Sequence, residues 1–249
     1  MKPQAAETLK STLERPTADP GAAQLEDHFS KLFNKASFFY INKNQELSAE
    51  LNELSKLIVL PEATGRFHPN RLSEYILGRV CAAKAYEASM GRQLLSLPSM
   101  PSRAPQWPSD VVGSISHDQN FIAAAVASKN DLLAIGIDFE VIGRTKPELS
   151  SRICNEQDLK THAELNDAEL LTVIFSAKES LYKALHPLVN IFFGFEAAAV
   201  REINLQKKTF IIDLLEPLSA RFSPVNQFRF QGKFVLEQGS CLTVIEIVE

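Results

Sequence analysis

The chain has 249 residues, of which 45% are hydrophobic and 22% are charged, so it can bury one large core or two small ones. Its formal net charge of −4 at pH 7 argues against a dedicated nucleic-acid-binding protein, because such proteins are usually basic. The longest apolar run, residues 121–127, is far shorter than the roughly 20 residues of a transmembrane helix, so we expect no membrane span.

The three cysteines, Cys81, Cys154 and Cys241, include no Cys-x-x-Cys pair. This spacing argues against a disulfide framework or a structural zinc site and predicts free thiols in a reducing cytoplasm. The five histidines form no His-x-x-x-His pair, so a zinc hydrolase lacks its usual ligands. The N-terminus has no apolar segment, and we therefore expect no secretory signal.

The first part of the chain predicts a leader and two helices. Residues 1–28 are polar, with prolines and a glycine, and predict a flexible leader. Leucine and isoleucine at helical spacing predict a helix over residues 46–58. A second helix is expected to begin at an N-cap, Asn70, and to run to about Met90, where Gly91 is suited to the residue after the helix end.

Short β-rich runs occupy the middle of the chain. A loop over residues 97–108, with four prolines, precedes them. Brief polar breaks between the runs predict adjacent antiparallel strands. The predicted strands are 111–116, 121–128 and 132–141.

The second part of the chain again predicts helices followed by strands. A polar helix is predicted around residues 147–160, and the strongest helix begins with a capping-box pattern at Asn166 and Glu169 and is expected to end at Pro187. Three predicted strands follow, 210–215, 227–236 and 241–248. The order of elements predicts an α+β protein with two lobes of similar size.

Two acidic residues lie two positions apart in the sequence Gly-Ile-Asp-Phe-Glu at residues 136–140. Because alternate residues of a strand share a face, Asp138 and Glu140 would present adjacent carboxylates. Such carboxylates repel each other unless a cation lies between them, and all-oxygen ligands favour Mg²⁺. The alternative is a strand end whose acidic residues face water.

The strongest predicted helix carries Phe-Ser-Ala-Lys-Glu-Ser-Leu-Tyr-Lys at residues 175–183. Glu179 and Lys183 are four residues apart and off the leucine stripe, so we expect both on one face and neither in the core. A third carboxylate from Glu179 would complete a Mg²⁺ site, and Lys183 beside it would meet a phosphate. The alternative is a surface ion pair that contributes about 0.2–0.5 kcal/mol.

A predicted strand ends in Gly-Ser-Ile-Ser-His at residues 113–117. Ser116 and His117 could both donate hydrogen bonds to a phosphate oxygen. A Ser–His hydrolase is the other interpretation, but the Gly-x-Ser-x-Gly elbow of such enzymes is absent. Several arginines would suit a polyphosphate ligand or a solvated surface equally well; they are Arg66, Arg71, Arg79 and Arg103.

The three motifs, in this order and at this spacing, resemble the Sfp-type 4′-phosphopantetheinyl transferases, and among these the enterobactin-synthase component D branch. The resemblance covers roughly residues 60–200. Phe139 is bulkier than the aliphatic residue usual between the two acids, a mild departure. Three further stretches support the resemblance: residues 74–79, 107–108 and 192–196.

This resemblance implies a fold of two pseudo-symmetric lobes, each a small antiparallel sheet packed with helices, with the site between them. We expect a leader at 1–28, an N-terminal lobe at 29–130 and a C-terminal lobe at 131–249, which together form one functional unit.

The implied reaction moves the 4′-phosphopantetheine arm from coenzyme A to a serine of an apo acyl, peptidyl or aryl carrier protein and releases adenosine 3′,5′-bisphosphate. The implied enzyme is a cytoplasmic, Mg²⁺-dependent monomer. Siderophore synthesis of the enterobactin kind, nonribosomal peptide, polyketide or polyunsaturated fatty-acid synthesis, and general carrier activation all stay open as its pathway.

The resemblance also implies residue roles. Asp138, Glu140 and Glu179 match the Mg²⁺ ligands. Lys183 matches the lysine beside the reacting phosphates, and Glu179 is a candidate general base for the serine hydroxyl, directly or through water. The expected coenzyme A contacts are Arg71, Arg103, Ser116, His117 and Lys183.

Two other functions use some of the same residues. A Mg²⁺-dependent phosphohydrolase or nuclease would use the carboxylates but would need no carrier protein. A non-catalytic coenzyme A-binding or assembly protein would keep the basic residues and would need neither Glu179 nor Lys183.

Overall fold

Two antiparallel sheets, one of three strands and one of five, form the framework of the chain. The computed structural model describes residues 20–60, 65, 67–94, 96–100 and 104–249. The helices are α1 (Pro20–Ser30), α2 (Ala49–Leu57), α3 (Pro69–Met90), α4 (Ser150–Ile153) and α5 (Asp167–Val189). The strands are β1 (Ser37–Asn42), β2 (Val111–His117), β3 (Phe121–Ser128), β4 (Ala134–Val141), β5 (Ala198–Asn204), β6 (Thr209–Leu214), β7 (Arg229–Glu237) and β8 (Ser240–Ile247).

The three-stranded sheet has the order β1-β3-β2, so β3 lies in its centre. Alternate side chains of β3 lie on opposite faces of the sheet and pack into two different hydrophobic cores. Phe121 and the alanines that follow it on the same face pack with α1, whereas Ile122 and Val126 pack under α3. Because this strand is covered on both faces, it is apolar almost throughout, and small alanines let both layers approach.

The five-stranded sheet has the order β4-β8-β7-β6-β5, and α5 packs across one face of it. The apolar stripe of α5 includes Leu181 and Leu185, both fully buried. Gly136 of β4 lets α5 come close, because a Cβ there would lie 1.9 Å from the carbonyl oxygen of Ser180. This contact brings the side of α5 that carries Glu179 next to β4.

Helix α1 contradicts part of the predicted leader. Residues 20–28 belong to this helix, and Leu25 and Phe29 are 4% and 1% exposed. The ring of Phe29 packs edge to face against two other rings. The distance between ring centres is 5.5 Å to Phe121 of β3 and 5.4 Å to Phe139 of β4. With only a few apolar residues, α1 gains its stability from these contacts with both sheets. Residues 1–19 of the predicted leader lie outside the described residues, and the lobe boundary at residue 130 stays a prediction.

Several local predictions are confirmed, namely the helix within residues 46–58, the strands β2 and β3, and the end of α3 at Gly91, whose φ is 67°. The capping box of α5 is also present: the Asn166 side chain accepts from the Glu169 amide, and the Glu169 side chain accepts from the Asn166 amide. The α+β class with two helix-packed antiparallel sheets is confirmed too. No helix in the described part of the chain is long and apolar enough to cross a membrane.

Other local predictions are wrong. Strand β4 pairs with β8 rather than β3, because its apolar face completes the second sheet. The helix predicted around residues 147–160 is a 3₁₀ turn followed by the short α4. The N-cap of α3 is His68 rather than Asn70. Helix α5 continues past Pro187 to Val189, since a proline in the last turn removes only one hydrogen bond. Strands β1 and β5 were not predicted.

Candidate active site

Strands β2 and β4 lie side by side where the two sheets meet, and two serine side chains join them. The Ser114 hydroxyl accepts a hydrogen bond from the Ile137 amide at 3.1 Å, and the Ser116 hydroxyl accepts one from the Phe139 amide at 3.0 Å. The two hydroxyls therefore accept hydrogen bonds from main-chain amides of the neighbouring strand, as main-chain carbonyls do inside a sheet. We call this junction of β2 with β4 the seam.

Asp138 lies at the seam and is 4% exposed. Its Oδ1 atom accepts hydrogen bonds from Lys183 Nζ at 2.6 Å and from the Ser116 hydroxyl at 3.0 Å. Its Oδ2 atom is buried and has no hydrogen-bond partner among the described residues. A buried carboxylate oxygen without a partner is costly, so this atom is suited to a cation.

Lys183 reaches the seam from α5. Besides Asp138, its Nζ donates to the Ser116 hydroxyl at 3.0 Å and to the Ile137 carbonyl oxygen at 3.1 Å. The Lys183 ammonium thus binds three oxygens of the seam, and the alternative of a surface ion pair with Glu179 includes none of them. Sequence spacing could not show this, because the partners come from β2 and β4.

The other two predicted carboxylates are partly buried and feel the charge of Asp138. Burial, and next the charge of Asp138, raise the pKa of Glu140 from 4.5 to about 7. Burial and Asp138 also raise the pKa of Glu179, an effect that Lys183 opposes. Asp138 thus acts electrostatically on both glutamates and disfavours their charged forms. No group of three or more His, Cys, Asp or Glu residues in the described ranges is arranged so that it could hold a metal ion.

Ser116 was expected to contact coenzyme A, but it is only 5% exposed. A hydroxyl can donate one hydrogen bond and accept two, and Ser116 already does both. In this arrangement it has no donor left for a phosphate.

His117, the next residue, is exposed, and its Nδ1 lies 3.5 Å from a carboxylate oxygen of Glu74. Burial of part of the ring lowers the pKa of His117, and the charge of Glu74 opposes this effect. Lys43 joins the same group through a 3.0 Å contact with Glu74. No sequence pattern predicted a role for Glu74 or Lys43. Glu74 lies in the stretch 74–79 that supports the family resemblance, whereas Lys43 directly follows β1, a strand that the sequence did not predict.

The remaining predicted coenzyme A contacts are arginines. Arg71 is exposed on α3, with its guanidinium 5.1 Å from the centre of the Phe67 ring. Arg103 lies outside the described residues. No hydrogen bond or ion pair joins Arg71 to the seam, so its role stays a prediction.

A cleft of about 170 Å³ opens beside Glu179, with Tyr182, Phe193 and Phe195 in its lining. Lys178 anchors one wall: its buried ammonium donates to Asp158 at 2.7 Å and to the Phe195 carbonyl oxygen at 3.0 Å. Lys178 and Lys183 belong to the same motif but bind different parts of the protein: Lys178 a wall of this cleft, Lys183 the seam. Phe193 and Phe195 belong to the supporting stretch 192–196 and Tyr182 to the motif at 175–183, but neither pattern predicted a role for these rings.

Two family models match the chain: "4'-phosphopantetheinyl transferase N-terminal domain" over residues 61–127 and "4'-phosphopantetheinyl transferase superfamily" over residues 134–237. The chain is similar to 4'-phosphopantetheinyl transferase Svp of Streptomyces mobaraensis, with 34% identity over 72% of the chain and 73% of that protein. It is similar to 4'-phosphopantetheinyl transferase Npt of Nocardia iowensis, with 31% identity over 70% of the chain and 82% of that protein. Enterobactin synthase component D of Salmonella austin is 33% identical to the chain over 54% of the chain and 56% of that protein. The resemblance found in the motifs is confirmed, and the chain belongs to the 4′-phosphopantetheinyl transferase family.

Proposed function

We propose that this transferase moves the 4′-phosphopantetheine arm from coenzyme A to a serine of an apo carrier protein, with the help of Mg²⁺. Family membership supports the reaction class. The observation that carries the proposal for the site is the buried Oδ2 of Asp138, which has no hydrogen-bond partner within the described ranges, together with the raised pKa values of Glu140 and Glu179.

The three carboxylates have the oxygen donors that a hard divalent cation prefers, which supports the proposed Mg²⁺ by donor type. Asp138 through Oδ2, Glu140 and Glu179 would supply oxygen ligands, which Mg²⁺ prefers. In the structure the ammonium of Lys183 neutralises part of the charge of Asp138, and the side chains of Glu140 and Glu179 are partly exposed. When bound, the cation would neutralise charge on the pyrophosphate of coenzyme A.

The chain's own groups support a proton transfer and a leaving group. Glu179 takes the proton of the carrier serine hydroxyl, since its raised pKa makes it a better base near neutral pH. The serine oxygen attacks the phosphorus that bears the pantetheine arm. The bond from that phosphorus to the bridging oxygen breaks, and this oxygen leaves with adenosine 3′,5′-bisphosphate. Lys183 stabilises the negative charge that develops there.

We assign the 3′-phosphate end of coenzyme A to His117, Arg71 and Arg103. The exposure of His117 and Arg71 supports this assignment, because a large anionic ligand can reach both side chains from solvent. We also propose that the protein acts as a monomer in the cytoplasm, where its three free cysteines would stay reduced.

The test is incubation with coenzyme A, Mg²⁺ and a panel of apo acyl, peptidyl and aryl carrier domains, followed by intact-mass measurement. We expect one phosphopantetheine addition on at least one carrier, and the carriers modified indicate the pathway. Addition should stop in excess EDTA and in Asp138→Ala. Hydrolysis of coenzyme A without any carrier modification would favour the phosphohydrolase alternative instead.

A further inference from the structure

We propose that Lys178 is a positioning residue: its buried ion pair with Asp158 holds the segment 195–200, and so the wall of the cleft beside Glu179, and it does not bind a phosphate of coenzyme A. This inference rests on the proposed function, because it concerns the place where Glu179 would act. We call Lys178 and the segment 153–159 together the clamp.

The ammonium of Lys178 is fully used inside the protein. Lys178 is only 3% exposed. Its Nζ donates to the Ile153 carbonyl oxygen at 2.8 Å, to Asp158 Oδ2 at 2.7 Å and to the Phe195 carbonyl oxygen at 3.0 Å. An ammonium has three protons, and each of them has an acceptor here. A phosphate could bind Lys178 only after one of these contacts breaks.

The carboxylate of Asp158 extends the same network to the second sheet. Its Oδ1 accepts a hydrogen bond from the Val200 amide of β5 at 2.7 Å. Its Oδ2 accepts one from the Asn155 amide at 2.8 Å besides the one from Lys178. Both carboxylate oxygens are therefore satisfied, and the ion pair joins α5 to the start of β5. Removing one partner of such a pair would leave an uncompensated buried charge.

Two further hydrogen bonds of the clamp reach the segment 195–200. The Asn155 side-chain amide donates to the Ala198 carbonyl oxygen at 3.0 Å, and the Leu159 amide donates to the Val200 carbonyl oxygen at 2.8 Å. Together with the contacts of the ion pair, these hydrogen bonds hold the segment at its start, its middle and its end. The segment is therefore fixed to α5 and to the clamp rather than to β6 alone.

The position of this segment matters because Glu179 lies in the same cleft. Phe193 and Phe195 line the cleft together with Glu179, and Glu179 directly follows Lys178 in α5. A shift of the wall would change the space in which a substrate meets Glu179. Misplacement by about 1 Å, caused by a mutation away from the reacting groups, can lower a rate about 10²-fold.

The experiment compares Lys178→Met with a matched control, Arg229→Met, each in the full chain. Methionine keeps most of the length of the lysine stem and removes the ammonium. The control removes the cation that pairs at 2.8 Å with Asp213, a carboxylate that is 9% exposed. Asp213 lies on the face of the second sheet turned away from α5, because its neighbours Ile212 and Leu214 pack with α5.

Transfer to a carrier domain at saturating coenzyme A is measured beside calorimetric titration with adenosine 3′,5′-bisphosphate. We expect kcat of Lys178→Met to fall about 10²-fold. Its affinity for the bisphosphate should stay at the wild-type value, because His117 and Arg71 lie outside the lining of the cleft. Arg229→Met should match the wild type in both measurements. Without substrate, amide hydrogen exchange at residues 192–197 should become faster in Lys178→Met only.

A double variant, Lys178→Met with Asp158→Asn, separates positioning from stability. It leaves no uncompensated charge in the clamp, so it should melt at a higher temperature than Lys178→Met. Its kcat should nevertheless stay low, because the Phe195 carbonyl oxygen still lacks the ammonium. If Lys178→Met does not fold, the double variant takes its place in the same measurements.

Three results would overturn the inference. One is a kcat that returns to the wild-type value in the double variant as its stability returns. Another is a kcat of Lys178→Met that is no lower than that of Arg229→Met. The third is a loss of bisphosphate affinity in Lys178→Met, which would make Lys178 a phosphate contact. A wild-type protein that modifies no carrier domain would instead contradict the proposed function, and hydrogen exchange at residues 192–197 would still test the clamp.

Discussion

At the scale of single residues, Asp138 and Lys183 are in contact at the seam, and the charge of Asp138 acts on Glu140 and Glu179. Burial and then the charge of Asp138 raise the pKa values of Glu140 and Glu179, while Lys183, which pairs with Asp138, opposes this effect. The folded protein thus keeps charge repulsion at the position where a cation would relieve it, as expected when a site is built for binding rather than for stability.

Glu179→Gln tests the proposed base. The amide cannot accept the serine proton, so we expect the single-turnover transfer rate to fall about 10²–10⁴-fold. Glu148→Gln, on an exposed 3₁₀ turn, is the matched control and should transfer at the wild-type rate. A near-normal rate for Glu179→Gln would remove Glu179 from the chemical step.

The pKa of Glu140 predicts how stability depends on pH in the metal-free protein. Between about pH 4.5 and about pH 7 the folded protein keeps the Glu140 proton while the unfolded chain has lost it. Folded protein therefore binds more protons, and the Glu140 contribution to stability is lost as pH rises through this window.

Urea unfolding across this window in EDTA measures that slope. Glu140→Gln should make the slope less negative, because the amide does not ionise, and excess Mg²⁺ should do the same in the wild type because it favours the ionised carboxylate. Identical slopes in both proteins would contradict the raised pKa.

At the scale of elements, the contact between α5 and β4 sets the position of α5, the helix that carries Glu179 and Lys183. Gly136→Ala places a Cβ against the main chain of α5, 1.9 Å from the Ser180 oxygen, so the helix must move away. We expect a loss of about 1–3 kcal/mol in the free energy of unfolding, measured in urea. Because Glu179 and Lys183 lie on this helix, the transfer rate should fall as well.

Gly65→Ala is the control for this substitution, since a Cβ at Gly65 meets no atom within 4 Å. We expect Gly65→Ala to melt and react as the wild type does. A Gly136→Ala protein with normal stability and rate would show that α5 can shift without disturbing the site.

At the scale of the whole molecule, α1 connects the two sheets through Phe29, which meets an aromatic ring from each. Phe29→Ala leaves a cavity between them, so we expect a loss of about 3–5 kcal/mol in the free energy of unfolding. Amide hydrogen exchange should become faster in both sheets. Phe192→Ala, at a side chain that is 81% exposed, should change stability by no more than about 0.5 kcal/mol. Faster exchange confined to one sheet would contradict the connecting role of α1.

The sequence by itself determined the features that depend on neighbouring residues. Periodicity located α2, β2 and β3, the capping box located the start of α5, and Gly91 marked the end of α3. The spacing of the three motifs identified the family, because each motif lies within one strand or helix and stays intact along the chain.

Only the tertiary structure decided which distant groups meet. The pairing of β4 with β8, the burial of α1 and the three seam contacts of Lys183 join residues far apart in the chain. A local pattern records which side chains prefer burial, but not which partner buries them. For the same reason the motif predicted a phosphate contact for Ser116, whereas its hydrogen bonds are made inside the seam.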